Sequence, residues 1–270
     1  MKFGKRLWTA VGGCVRGANH IRNNMPCQDA LRIEKTEHFY IVNVSDGHGS
    51  AGCPYSDEGA QAAVDAAYAV FTSVFAGKGD HFHTISSNKD IWLPKQIEQY
   101  WKNAILAIHK EKGREEYSQE NFPYELYGAT LLSLIAADNF IFALQLGDGD
   151  ILSAMPVSNE VNVDWVIPPD DSLGPETNSL CQNNCWQYMK TRLIPILPND
   201  KAPMFMLSTD GYANSFYNND GFKQAGADFY NLLCEHGLSH IEENIESWLM
   251  ESSAKGSGDD ITVAIILNGD

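Results

Sequence analysis

The middle of the chain limits its fold most, because four short β-rich segments follow one another there with only a turn between them. Runs of apolar or alternating residues divided by Gly, Asn and Asp are typical of antiparallel strands joined by hairpins. Residues 127–167 are therefore predicted to form a meander of antiparallel strands. The four segments read "YGATLLSLIAA", "NFIFALQL", "DILSAMPV" and "EVNVDWVI".

Other strands are predicted near both ends of the chain, and helices are predicted between the strand groups. Apolar residues recur at helical spacing in four stretches, and the polar stretch 77–90 between the first two is predicted to be a loop. Strand groups bracketed by helices, with few helix–strand alternations, predict an α+β fold with helices packed on antiparallel sheets. The further strands lie in 7–15, 30–44, 204–208 and 261–267, and the helical stretches in 60–75, 97–108, 219–234 and 238–252.

A single domain is predicted over residues 1–270, because no internal repeat or low-complexity linker interrupts the chain. Residues 167–189 are rich in Pro, Asn and Asp and lie between predicted strands. This segment is predicted to be a surface flap inserted into the domain.

Charge and cysteine content narrow the class of protein further. The chain has 35 Asp+Glu against 19 Lys+Arg, a formal net charge of −16, which argues against a binder of nucleic acid or of anionic membranes. Six cysteines in 270 residues do not resemble a disulfide framework, so reduced thiols and a cytoplasmic location are expected. Cys181 and Cys185 could bind a metal, although no second Cys/His pair nearby completes a tetrahedral set. Neither a signal peptide nor a membrane-spanning run is expected.

Acidic residues stand at the ends of several predicted strands. Asp46 in "VSDGHG" and Asp210 in "LSTDG" each follow an apolar strand and precede a glycine, which lets backbone approach an ion closely. One Asp-Gly pair is typical of an ordinary tight turn. Repeated carboxylates at strand ends, however, predict a site for a hard cation such as Mg²⁺ or Mn²⁺. The other acidic residues at strand ends are Asp29, Asp148, Asp150, Asp259 and Asp260.

The order of these motifs resembles that of the metal-dependent protein phosphatase family, the type 2C serine/threonine phosphatases. The closest similarity is to bacterial-type members, whose first motif reads G-x-x-H…P-C-Q-D-A, and it runs from about residue 10 to residue 267. The resemblance implies a four-layer α-β-β-α sandwich of two antiparallel sheets flanked by helices, with a two-metal site at one end. The motifs are "GANH…QDA", "DGHG", "GATLL", "GDGD", "STDG" and "DDITV".

The resemblance also implies a metal-binding role for individual residues. Asp46 would bridge two divalent ions, Mn²⁺ or Mg²⁺, and the backbone carbonyl of Gly47 would bind one of them. Asp210 and Asp259 would complete the other ion, and Asp29 would hold metal-bound waters.

Three positions depart from the family pattern. Gln28 stands where an acidic residue is common, and an amide can only hydrogen-bond to water there. Asp260 replaces an asparagine and adds a negative charge beside the site. His20 replaces the arginine that commonly grips the phosphate, so the candidates for substrate capture are His20, Arg22 and Arg16.

The activity implied by the resemblance is hydrolysis of phosphomonoesters on serine or threonine by a water that bridges the two metals. Asp148 would join Asp210 at a weaker third metal site. His48 is the candidate general acid, although it could instead be a turn histidine bonded to a carboxylate. The substrate would be a phosphoprotein, with its kinase as a further candidate partner. The alternative is a phosphoprotein-binding regulatory pseudo-phosphatase with weakened catalysis. A third possibility, a metal-dependent phosphodiesterase, is disfavoured because its metal ligands would usually include more histidines than His48 alone.

Overall fold

The computed structural model describes ten strands, seven α-helices and three short 3₁₀ helices within residues 6–37, 39–77, 79–115, 117–158, 160–169, 177–197 and 203–269. The strands are β1 (Leu7–Val15), β2 (Ala30–Lys35), β3 (Tyr40–Ser45), β4 (Leu131–Ala136), β5 (Phe140–Leu146), β6 (Asp150–Val157), β7 (Glu160–Trp165), β8 (Lys190–Pro195), β9 (Met204–Ser208) and β10 (Ile261–Gly269). The helices are α1 (Ala18–Arg22), α2 (Ser56–Phe75), α3 (His81–Asn88), α4 (Trp92–Glu111), α5 (Asp210–Ala213), α6 (Asn219–His236) and α7 (Leu238–Lys255). The 3₁₀ helices span Gln119–Asn121, Tyr124–Tyr127 and Cys185–Tyr188.

The strands form two five-stranded sheets in which every pairing is antiparallel. One sheet has the order β1-β10-β9-β6-β7 and the other the order β2-β3-β4-β5-β8. Helices α6 and α7 pack on the first sheet, and α2 packs on the second with α4 against it. The predicted four-layer α-β-β-α sandwich is therefore confirmed.

Successive side chains along β4 of the second sheet point to opposite faces, and each face is buried in a different apolar cluster. On β4, Leu131 and Ile135 pack in the cluster that includes α2 and α4. Leu132 and Leu134 lie on the opposite face, in the cluster between the two sheets. Because successive side chains of a strand point to opposite faces, a strand buried on both sides has a continuous apolar run.

The predicted meander over 127–167 is correct in its strands but wrong in their pairing. β4 pairs with β5 and β6 pairs with β7, as hairpins would, whereas β5 and β6 lie in different sheets. The chain crosses between the sheets at the Gly147–Gly149 turn, where Gly147 has a φ of +104° that favours glycine. A turn motif marks the reversal of the chain but does not specify which sheet the next strand joins.

Helix α3 and strand β8 are among the elements absent from the sequence prediction. The predicted loop 77–90 contains α3, which begins after Asp80, whose Oδ1 accepts a hydrogen bond from the backbone N–H of His83 at 3.1 Å. Only Ile85 of this helix is buried, so its apolar periodicity is weak. β8 was also missed, because it pairs with β5 alone at the sheet edge and is only partly buried.

The predicted flap, residues 167–189, is only partly described, because residues 170–176 lie outside the described residues. Its later part is anchored, since Leu180 and Cys185 are fully buried in the core cluster that contains α2 and α4. No helix among the described residues has the length and apolar character needed to cross a membrane.

Candidate metal site

Three of the predicted metal ligands meet at one end of the sandwich. Asp46 directly follows β3, Asp148 lies in the turn between β5 and β6, and Asp210 begins α5, one intervening residue after the end of β9. One carboxylate oxygen from each lies within 4.8 Å of the others. Strand ends from both sheets thus bring together carboxylates that are more than sixty residues apart in the chain.

The backbone around Asp46 is held in place by neighbouring segments. The Asp46 N–H donates to Thr130 Oγ1 at 3.0 Å, and the Thr130 N–H donates to the Asp46 carbonyl at 2.8 Å. The Gly47 N–H donates to the carbonyl of Gln28 at 3.1 Å. A Cβ on Gly47 would lie 2.5 Å from the carbonyl oxygen of Ser56, so only glycine fits at this position.

The clustered carboxylates repel one another when they are ionised. Burial raises the pKa of Asp46 well above its usual range, and the charges of Asp29 and Asp210 raise it further. Burial and the charge of Asp148 likewise raise the pKa of Asp210. A divalent cation would remove this repulsion, and an all-oxygen donor set is what Mn²⁺ and Mg²⁺ prefer. The residues present therefore fit the predicted metals.

Asp29 and Asp259 lie beside this group of three but outside it. Asp29 is buried, and its Oδ2 accepts hydrogen bonds from Thr209 Oγ1 at 2.9 Å and from Thr262 Oγ1 at 2.8 Å. Asp259 has a side chain that is 54% exposed, and its charge raises the pKa of Asp210. Both positions suit groups that complete the surroundings of a metal rather than bridge two metals.

His48 lines the same cavity as the aspartates. Its backbone N–H donates to the carbonyl of Gly128 at 3.0 Å, and a Cβ on Gly128 would lie 2.4 Å from His48 Cδ2. Close packing therefore fixes the ring against a glycine. Burial lowers the pKa of His48, while the charge of Asp148 acts in the opposite direction.

The three candidates for substrate capture lie in different surroundings. His20 lines the cavity, whose volume is 580 Å³. Arg22 is exposed and donates to the side-chain oxygen of Asn19, and Arg16 donates to the carbonyl of Met25 at 3.4 Å. Neither arginine lines the cavity, so His20 is the only one of the three candidates that does.

Sequence reasoning noted Asp260 as a departure but did not assign it a role. Its side chain is 3% exposed, and its two oxygens accept from the backbone N–H groups of Gly17 and Gln28, each at 2.6 Å. Thr177, another cavity residue that was missed, donates to Asp148 Oδ2. Its place in the predicted flap gave no signal of contact with the site.

Asp150, noted with Asp148 in the "GDGD" motif, contacts the indole of β7. Trp165 Nε1 donates to Asp150 Oδ1 at 2.7 Å, and burial raises the pKa of Asp150 to about 6. Among the described residues, the aspartates 46, 148 and 210 form the single group of three or more acidic, His or Cys side chains able to hold a metal. Cys181 and Cys185 therefore have no set of metal ligands around them in the described structure.

Comparison with known proteins identifies the family but no near relative. No curated protein sequence matches the chain significantly. Residues 16–250 match the family model described as Protein phosphatase 2C.

Solved structures share the fold at low sequence identity. The serine/threonine phosphatase Stp1 from Staphylococcus aureus is 13% identical with a TM-score of 0.63, and the match covers 100% of this chain and 98% of Stp1. The catalytic domain of the serine/threonine protein phosphatase PstP, in complex with two manganese ions, is 14% identical with a TM-score of 0.57 over 98% and 99% of the two chains. RsbX in complex with magnesium is 15% identical with a TM-score of 0.55 over 97% and 96%. With the family match over residues 16–250, the two-sheet sandwich and the aspartates at its end, the chain belongs to the protein phosphatase 2C family.

Proposed function

We propose that this chain is a metal-dependent protein serine/threonine phosphatase that hydrolyses phosphomonoesters. The observation that carries the proposal is the meeting of Asp46, Asp148 and Asp210, with oxygens within 4.8 Å of one another, at the end of a phosphatase fold. Two Mn²⁺ or Mg²⁺ ions bound there would neutralise phosphoryl oxygens and lower the pKa of an attacking water.

The donor set suggests how the ions would be held. Asp46 and the Gly47 carbonyl would hold one ion, while Asp46, Asp210 and Asp259 would hold the other. Asp29, oriented by two threonine hydroxyls, would contact water in the site. Asp148, which lies with Asp46 and Asp210, would serve a third ion.

The charge of the cavity supports a requirement for metal. The described residues that line it include several aspartates but no lysine or arginine. A phosphate would be repelled from such a surface unless cations balanced the charge. Metal-free protein is therefore expected to neither bind nor hydrolyse the substrate.

His48 is proposed to protonate the departing serine or threonine oxygen. The contact with Gly128 fixes the ring in the cavity wall, so the proton is presented from one direction. Because burial lowers the pKa of His48, its protonated form is a stronger acid than a free histidine. No cysteine nucleophile is needed for attack by water.

A phosphoprotein-binding regulatory pseudo-phosphatase is the second candidate function. The observation that favours it is Gln28, whose amide occupies a position where the family commonly has a carboxylate, because a neutral group holds metal-bound water less strongly. The phosphoprotein substrate, a kinase acting on it and a cytoplasmic location are parts of the proposal common to both functions.

Hydrolysis of p-nitrophenyl phosphate separates the two candidates. We expect turnover with Mn²⁺ or Mg²⁺ that EDTA abolishes and that thiol alkylation leaves unchanged. Activity that survives chelation, or that alkylation destroys, would refute the metal mechanism. Metal binding without turnover on this substrate or on phosphopeptides would favour the pseudo-phosphatase.

A further inference from the structure

The imidazole of His20 is held between the carboxylates of Asp259 and Asp260. Its Nδ1 lies 2.8 Å from Asp260 Oδ2 and 3.2 Å from the carbonyl oxygen of Pro26. The carbonyl can only accept, and both Asp260 oxygens already accept from backbone N–H groups. Nδ1 must therefore carry the hydrogen, which leaves Nε2 as the ring nitrogen available to the cavity.

His20 Nε2 lies 3.6 Å from Asp259 Oδ1. This separation is too long for a good N–H···O hydrogen bond, which is about 2.7–3.2 Å. Two atoms that share one metal at about 2.1 Å each lie about 3 Å apart at right angles and about 4 Å apart on opposite sides. The observed separation falls between these limits, so one cation can contact both atoms.

An unpartnered buried atom faces the same part of the cavity. Gln28 is 5% exposed, and its Nε2 donates to Ser56 Oγ at 2.6 Å, while its Oε1 has no hydrogen-bond partner. A Cβ on Gly49 would lie 3.4 Å from this oxygen and 4.0 Å from His20 Nε2. A buried amide oxygen without a partner is costly, and such atoms commonly face a bound water or ion.

We propose that His20 binds a divalent cation through Nε2 together with Asp259, with Gln28 Oε1 beside the same cation. Asp260 is then a positioning residue, because its bond to Nδ1 fixes the tautomer and the ring orientation. The proposal rests on the metal site of the proposed function and adds a nitrogen ligand to it. Since imidazole suits transition metals better than Mg²⁺, the site should prefer Mn²⁺ to Mg²⁺.

The test uses the Mn²⁺-loaded full chain in which histidine is labelled with ¹⁵N. Electron spin resonance should show coupling between Mn²⁺ and a histidine nitrogen in the wild type. The coupling should vanish in His20→Gln and persist in His48→Gln and in His83→Gln, which changes an exposed histidine on α3. Calorimetry should show Mn²⁺ affinity falling about 10- to 100-fold in His20→Gln, with a clearly smaller change for Mg²⁺.

Each outcome either supports or refutes the inference. Mn²⁺ binding without nitrogen coupling, coupling that disappears only in His48→Gln, or equal losses of Mn²⁺ and Mg²⁺ affinity would refute the His20 ligand and leave the phosphatase proposal standing. No Mn²⁺ binding by the wild type would refute both. If His20→Gln does not fold, the wild-type and His48→Gln spectra still decide, because coupling retained without His48 supports His20 and its absence refutes it.

Discussion

Replacing Asp46 with asparagine tests the metal site most directly. Asparagine has nearly the same shape and serves as well as aspartate in a tight turn. What the change removes is the negative charge at the centre of the group formed with Asp148 and Asp210. A turn residue should tolerate the change, whereas a metal ligand should not.

Without metal, we expect the variant to be more stable than the wild type at neutral pH. Two unit charges no more than 4.8 Å apart repel by at least about 3 kcal/mol at an effective dielectric constant of about 20. The penalty has an upper limit, because Asp46 can fold in its protonated form. Protonating a carboxyl costs about 1.4 kcal/mol for each pH unit above its unfolded pKa. Because pH 7 lies roughly three units above that pKa, the penalty is about 4 kcal/mol at most.

The sign of the pH dependence follows from the raised pKa of Asp46. A carboxyl whose folded pKa is raised contributes stability below its unfolded pKa, near 4, and that stability is lost as pH rises through the folded pKa. The metal-free wild type should therefore lose stability above about pH 4, and Asp46→Asn should lose less. The gain in the free energy of unfolding should be about 1–4 kcal/mol at pH 7 and near zero at pH 4.

Added Mn²⁺ should stabilise the wild type clearly more than the variant. At one hundred times its dissociation constant, a ligand that binds only the folded state stabilises it by about 2.7 kcal/mol. If the variant binds at least tenfold more weakly, the same concentration gives it about 1.4 kcal/mol or less.

Urea unfolding with and without Mn²⁺, together with calorimetry, measures both effects. Asp220→Asn, at an exposed position in the first turn of α6, controls for the loss of one charge. Matching Mn²⁺ affinities and matching metal-induced shifts in the wild type and Asp46→Asn would leave Asp46 an ordinary turn residue.

Two other predictions concern the flap and the support behind the site. Replacing residues 168–176, which precede the anchored Leu180 and Cys185, with a short linker should change phosphopeptide preference more than Mn²⁺ affinity; equal losses toward every substrate, in step with lost metal, would mean that the segment is structural. Gly59→Ala should lower the free energy of unfolding by about 3 kcal/mol, because its Cβ would lie 1.9 Å from the carbonyl oxygen of Tyr127. Gly77→Ala, which meets nothing within 4 Å, is the matched control, and equal urea midpoints for the two variants would contradict the packing argument.

The strands were predictable where burial on both faces leaves a continuous apolar run, as in β4 and β5. The pairing of the strands was harder to predict from the sequence, because it depends on contacts between segments that are far apart in the chain. Phe205 on β9 pairs with Ser153 on β6, and Ile266 on β10 pairs with the same Phe205. No local pattern encodes such pairings, and the crossing at Gly147 was therefore predicted as one more hairpin.

The sequence pointed to the three aspartates that meet in the structure, but not to the geometry around them. Asp46 and Asp210 were singled out by strand-Asp-Gly patterns, and the family resemblance assigned a metal role to Asp148. Sequence alone could not show that Asp29 is held by two threonine hydroxyls, because Thr209 and Thr262 lie on other elements about 180 and 230 residues away. Such bonds follow from the packing of the two sheets, which a one-dimensional pattern does not specify.

The departures at His20 and Asp260 have a common physical explanation in the structure. Taken separately, a histidine where the family resemblance implies a phosphate-gripping arginine would weaken substrate capture, and an added carboxylate would increase repulsion. In the fold, however, the Asp260 carboxylate accepts from His20 Nδ1 and from two backbone N–H groups, so its charge is compensated by donors. A histidine oriented in this way has its Nε2 available for a cation, as proposed above. The contact between His20 and Asp260 therefore supports the proposal of a metal site with altered ligands, whereas turnover of p-nitrophenyl phosphate separates the phosphatase from the pseudo-phosphatase.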